Sequence, residues 1–213
     1  SPGAIVPWGD NLTIILTYND TEHGYLPIAG GVIACDWDAS FWRYWYNAST
    51  GGYIVQIQTR SRLEGSYTLH IQAQKSHYQS FTTVESFVVR QIRTSYSAHP
   101  TPYFGAHCWG DNLTIGIEYL DLDHSRAILY ADAVTDWDVG YYTIYFFENG
   151  TYGFAFNTSC RAVGSYQITI TLARTHYANQ TILIYLTMRP IHTDCSGEPA
   201  EVSVTWGDNV TIT

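Results

Sequence analysis

Trp8-Gly9-Asp10-Asn11-Leu12-Thr13-Ile14 is the stretch on which the reading of this chain turns. It returns as Trp109-Gly110-Asp111-Asn112-Leu113-Thr114-Ile115 and again, with one Leu→Val change, from Trp206 to Ile212. A repeat at about 100 residues means tandem modules, each a folding unit of its own. Other positions keep the same period. Asp36-Trp37-Asp38 matches Asp136-Trp137-Asp138, Gly65-Ser66-Tyr67 matches Gly164-Ser165-Tyr166, and His77-Tyr78 matches His176-Tyr177. The 213 residues therefore divide into a module over 1–96, a second over 97–195, and 196–213 as linker and opening strands of a third copy, or a donor strand for a neighbour.

After the repeated turn, Leu12, Ile14, Leu16 and Tyr18 alternate with Thr13, Ile15 and Thr17. The second copy alternates more cleanly: Leu113, Ile115, Ile117 and Tyr119 against Thr114, Gly116 and Glu118. A period of two marks a half-buried strand, and it leaves Asn11 and Asn112 on the solvent side. Working outward, a leading strand is expected over Ser1–Pro7 and another near Gly31–Trp37. An aromatic strand over Phe41–Tyr46 has its counterpart at Tyr141–Phe147. Tyr53, Val55 and Ile57 (Tyr152, Phe154 and Phe156) read as the next, Gly65-Ser66-Tyr67 opens a sixth, and Phe81–Ile92 is the last. No helical period appears. Seven short strands separated by turns give an all-β chain of two tandem seven-stranded β-sandwiches plus the first strands of a third. Tyr67 and Tyr166 stand where a hydroxyl ties down the turn before the sixth strand. Thr94–His107, stiffened by Pro100 and Pro102, links the modules and includes the second module's leading strand; His192–Val204 is the second linker.

The Trp-Gly-Asp-Asn opening, the loop carrying Tyr18, Asp20, Pro27, Ile28 and Gly30, the Gly-x-Tyr turn and the Gly-Ser-Tyr corner resemble the immunoglobulin-like repeats found in tandem in large archaeal surface proteins. The second module departs from that pattern with Ala127-Ile128 in place of Pro27-Ile28. The resemblance implies an immunoglobulin-like sandwich on a cell surface or in an extracellular filament.

Composition narrows the setting. A formal net charge of -9 excludes a nucleic-acid binder, and no apolar run approaches transmembrane length. All eight asparagines (Asn11, Asn19, Asn47, Asn112, Asn149, Asn157, Asn179 and Asn209) are followed at +2 by Ser or Thr, none by Pro. Counting the repeated position once, chance agreement is below about one in ten thousand, because only roughly a fifth of the chain is Ser or Thr. The expectation is a chain exported past an N-glycosylation machinery. None has Asp or Glu at −2, as the stricter bacterial acceptor would require, which leaves an archaeal or eukaryotic surface. A plainer reading is that Asn and Thr both suit turn–strand junctions.

Four cysteines fit an oxidising exterior. Cys108–Cys195 is the favoured pair, clamping the second module's first strand to its last. Closure of that loop is worth roughly 4 kcal/mol in the entropy model. Cys35 and Cys160 are left to pair between chains or modules.

No nucleophile elbow, Cys-x-x-Cys pair or phosphate-binding glycine loop is present, so no catalysis is expected. Acidic and histidine positions gather by topology. Asp10, Asp36 and Asp38 fall at the lower pole of module one; Asp121, Asp123, His124 and His176 fall at the facing upper pole of module two. Carboxylates there suit Ca²⁺, His124 with His176 suits Zn²⁺, and a plain solvated strand end needs neither. Phe41, Trp42, Tyr44 and Trp45 exceed what alternation buries, so they are either packed under a loop or form a partner or sugar-binding surface. Trp206, Val210 and Ile212 of the third copy are expected to pack against module sheets, in a longer array or by strand addition in a neighbour. The leading function is a glycosylated tandem-repeat surface or filament subunit whose partners are copies of itself, joined head to tail. The alternative is an adhesin or carbohydrate-binding module.

Overall fold

The computed structural model describes residues 3–100, 103–194 and 205–206. Module one contains β1 (Ala4–Pro7), β2 (Asn11–Leu16), β3 (Asn19–Asp20), β4 (Leu26–Pro27), β5 (Val32–Cys35), β6 (Trp42–Asn47), β7 (Gly52–Gln58), β8 (Gly65–Gln74) and β9 (Phe81–Arg90). Module two contains β10 (Thr94–His99), β11 (Tyr103–Cys108), β12 (Asn112–Asp121), β13 (Arg126–Ala127), β14 (Asp132–Thr135), β15 (Tyr142–Phe146), β16 (Thr151–Asn157), β17 (Gly164–Ala173) and β18 (Gln180–Arg189). In module one, sheet β1-β9-β8-β5 faces sheet β2-β7-β6; in module two, β11-β18-β17-β14 faces β10-β12-β16-β15. In each module the strand that leads into the repeated Trp-Gly-Asp-Asn turn runs parallel to the last strand, β1 with β9 and β11 with β18. This is the immunoglobulin-like arrangement, twice.

The alternating residues meet between the sheets. Val55, Ile57, Leu69 and Ile71 fill module one; Ile117, Tyr119, Phe154, Phe156, Ile168 and Ile184 fill module two. Burying such side chains stabilises the fold by about 1.5–3 kcal/mol each. The repeated turn is built from its own residues. Gly9 and Gly110 sit at φ 90° and 89°, where a side chain would be strained. The indole of Trp8 donates to the Arg62 carbonyl at 2.9 Å, as Trp109 does to Arg161 at 3.0 Å. The tyrosine corners form as the sequence implies: Tyr67 donates to Leu63 at 2.7 Å and Tyr166 to Ala162 at 2.8 Å. Below each corner an arginine (Arg62, Arg161) lies 4.2 Å over a buried tryptophan (Trp37, Trp137) and pairs with Asp38 or Asp138.

Three expectations need amendment. Phe41 closes a 3-10 turn, Ala39–Phe41, and the aromatic strand begins only at Trp42. The first half of the linker is itself a strand: β10 pairs antiparallel with β12 from Thr94 to His99, so module two's sheet begins before residue 97. Among the described residues no disulfide forms, and Cys35, Cys108 and Cys160 are free thiols; Cys35 and Cys160 belong to different modules and are not bonded to each other, while Cys195 lies outside the described residues. Trp206, expected to pack against module sheets in a longer array or in a neighbour, is fully exposed within its own chain. Val210 and Ile212 lie outside the described residues.

Candidate functional site

The densest polar constellation is the junction where module one's lower pole meets module two's upper pole. On the lower side stand Trp8 and Asp10 of the repeated turn, Glu64 before the corner, and Arg90 at the end of β9. On the upper side stand the Asp121–His124 loop after β12 and the His176-Tyr177 turn after β17. Asp121 organises its loop in the way short polar side chains do, through backbone bonds two and three residues on. Its Oδ1 accepts from the Asp123 and His124 amides at 3.0 Å each, and its Oδ2 lies 2.8 Å from His124 Nδ1.

That loop presents two groups to module one. Asp123 accepts both Nη atoms of Arg90, at 2.6 and 2.9 Å, and also the Arg93 amide and guanidinium at 2.8–2.9 Å. The bidentate Arg90 pair holds the Asp123 carboxyl well below the usual carboxylate range, and Asp123 in turn raises Arg90. His124 Nε2 lies 2.8 Å from Asp10 while its Nδ1 faces Asp121. A ring with a carboxylate at each nitrogen is held as imidazolium, and Asp10 first, then Asp121, pushes its pKa upward. Beside them the His176 ring stacks on Trp8, 3.6 Å between centroids and 4° from parallel, with its Nδ1 2.8 Å from Glu64. Backbone bonds close the seam: Ile92 donates to His176 and accepts from Ala178, both at 2.9 Å. Thr94 Oγ1 and the Tyr119 hydroxyl also donate to the Ala178 carbonyl, each at 2.6 Å.

Of the six candidate metal ligands, Asp121, Asp123, His124 and His176 do converge on the junction. Asp36 and Asp38 do not. Asp36 is bonded to the His70 amide and ring, and Asp38 to Arg62, within their own module. Among the described residues no three His, Cys, Asp or Glu side chains gather as a metal-binding group. The carboxylates at the junction face guanidinium and imidazolium, which supply the positive charge a cation would otherwise bring. Sequence reasoning missed Arg90, Arg93 and Glu64. A signal existed for the first: an arginine closes the last strand of both copies, at Arg90 and Arg189.

The asparagines are placed as follows. Asn11, Asn112, Asn149 and Asn179 are exposed, and Asn19, Asn47 and Asn157 half-exposed; Asn209 lies outside the described residues. Asn47, Asn149 and Asn157 each accept the amide two residues on, at 2.9–3.1 Å, in the tight turn their sequon spans. In the aromatic strand, Trp42 packs partly against the core and stacks with Tyr44. Trp45 faces outward with Arg43 over its ring. Cross-strand register aligns Ile15, Ile54 and Trp45 in one outer row.

No protein-family model matches the chain, and no curated protein matches it significantly. Many solved structures share its fold. The titin domains z1z2, crystallised in complex with telethonin, are 10% identical over 90% of this chain and 94% of that one, with a TM-score of 0.46. An I-band fragment from titin is 12% identical over 89% of this chain and 63% of that one, at 0.37. An endo-fucoidan hydrolase of glycoside hydrolase family 107 is 11% identical over 88% and 32%, at 0.32. These are likenesses of fold alone.

Proposed function

We propose that this tandem immunoglobulin-like protein is a structural, glycosylated subunit of an extracellular surface layer or filament, of the kind its resemblance to archaeal surface repeats implies, assembling head to tail with copies of itself. The observation that carries the reading is the junction. A flexible spacer needs no ionic and stacked contacts between its modules, whereas an element that sets a fixed spacing does. The unbroken set of sequons supports an exported chain, and the paired charges of the junction support a role in holding modules together. The experiment is intact-mass analysis and negative-stain imaging of native material. Mass well above the bare 24.1 kDa chain, with linear polymers in the images, is the expected result. A bare mass would remove the glycosylated surface setting, and isolated particles would remove the assembly.

One observation favours a second reading, an adhesin or carbohydrate-binding module: the outward row Ile15–Ile54–Trp45 with Arg43 over the indole. Glycan-array binding by the wild-type chain that is lost on Trp45→Ala would establish it.

A further inference from the structure

Each module carries both halves of the junction, and among the described residues the upper half of module one and the lower half of module two face no partner. At the upper pole of module one, Asp20 repeats the work of Asp121. Its Oδ1 accepts from the Glu22 and His23 amides at 3.0 and 3.1 Å, and its Oδ2 lies 2.8 Å from His23 Nδ1. His77 takes the same left-handed conformation as His176, φ 69° against 70°. Tyr18 donates to the Gln79 carbonyl at 2.7 Å, as Tyr119 does to Ala178. The surface is assembled but uncovered. The His23 side chain is 76% exposed where that of His124 is 28%, and an open cleft of about 1010 Å³ lies among Tyr18, Asp20, His23, Lys75, His77 and Tyr78.

The lower pole of module two is the matching half. Trp109 and Asp111 hold the repeated turn, and Arg189 ends β18 with its carbonyl accepting from Trp109, as Arg90 does from Trp8. Trp109 is 43% exposed. Ile191, the counterpart of Ile92, is 57% exposed, whereas Ile92 is 2% exposed inside the junction.

We propose that the upper pole of module one binds the lower pole of module two of a second copy of this chain, repeating the internal junction between molecules. Trp109 stacks on His77, Asp111 receives His23, Arg189 pairs with Glu22, and Ile191 enters the seam beside Tyr78. The proposal rests on the head-to-tail reading above and gives it a contact. The two charged pairs, Asp111 with His23 and Arg189 with Glu22, are of opposite sign. The two surfaces differ and lie at opposite poles, so the contact is heterologous and propagates instead of closing. It lacks two internal partners, since Val163 stands where Glu64 does and His192 where Arg93 does, and is therefore weaker than the junction it copies.

The test is sedimentation velocity on the full 213-residue chain over a concentration series, with charge reversals at the two poles. The wild type is expected to grow in mass with concentration. Glu22→Arg and Arg189→Glu, each alone, are expected to weaken association roughly tenfold or more, because like charges then face one another. An equimolar mixture of the two variants is expected to associate as the wild type does. In the mixture the reversed position 22 of one variant meets the reversed position 189 of the other, and the native pair forms at the alternate contact. Association that the mixture does not restore overturns the proposal. Polymers indifferent to both reversals overturn this contact while leaving head-to-tail assembly through another surface. A chain that stays single at every concentration overturns both the contact and the assembly, and leaves the glycosylation result untouched.

Discussion

Single residues carry the module's internal logic. Tyr53, 1% exposed, donates to the Ile28 carbonyl and accepts from the Gly31 amide, both at 2.7 Å. Tyr152 does the same with Ile128 and Ala131. Tyr53→Phe keeps the ring and strands two backbone groups, so it is expected to destabilise by about 1–3 kcal/mol in urea unfolding. Tyr67→Phe is expected to cost about 1 kcal/mol, because its exposed corner carbonyl can turn to water. The sequons meet a geometric limit at one place. Asn112 and Asn157 are direct cross-strand partners, and Asn157 Nδ2 donates to Asn112 Oδ1 at 3.1 Å. The same position in module one pairs Asn11 with Gln58. Site-resolved glycopeptide mapping is therefore expected to find Asn11 occupied more fully than Asn112, with Asn112 and Asn157 seldom modified on the same molecule. Equal, independent occupancy would contradict the crowding.

At the scale of elements, the junction is a pH-dependent seam. His124 binds its proton more tightly in the folded junction, so its contribution is complete below the ordinary histidine pKa of about 6.5 and is lost as pH rises through the raised value. Asp123 acts oppositely: its contribution is complete above the ordinary aspartate pKa of about 3.9 and is lost as pH falls toward its lowered value. The seam is expected to be firmest from about pH 4 to 6.5. His124→Gln should cost about 1–2 kcal/mol at pH 5, a cost that falls as pH rises through the raised value, read from urea midpoints over a pH series; a cost lowest at acid pH and growing as pH rises would refute the imidazolium assignment. This scale also shows what the sequence hid. The strands β12 and β17 were plain from alternation around repeated landmarks. β10 was not: Thr94–His99 carries few apolar residues and runs into Pro100, and its pairing comes from β12 offering a free edge. The acidic side of the junction was legible as a cluster, but its partners were not, because Arg90, Arg93 and Glu64 reach it only through the way two sandwiches stack.

For the whole molecule, the repeat made the module count and the sandwich class readable before any coordinate, while the angle at which modules meet depends on seam contacts with no local pattern. If the seam joins the modules energetically, they unfold together. Calorimetry is expected to give a ratio of calorimetric to van't Hoff enthalpy near 1 for the wild type, rising toward about 2 for Asp123→Ala as the two sandwiches melt separately. A ratio near 2 in both would show the seam to be thermodynamically idle. The parallel pairing of the strand before the repeated turn with the last strand has a mechanical consequence. Tension along the chain axis draws β11 and β18 in opposite directions while their rungs lie across the line of force. The rungs from Tyr103 to Cys108 then bear the load together, in shear, and none can be peeled open ahead of the others. A fibre strung from such modules would yield in abrupt, module-sized steps, each set by the rate at which one whole seam of rungs gives way.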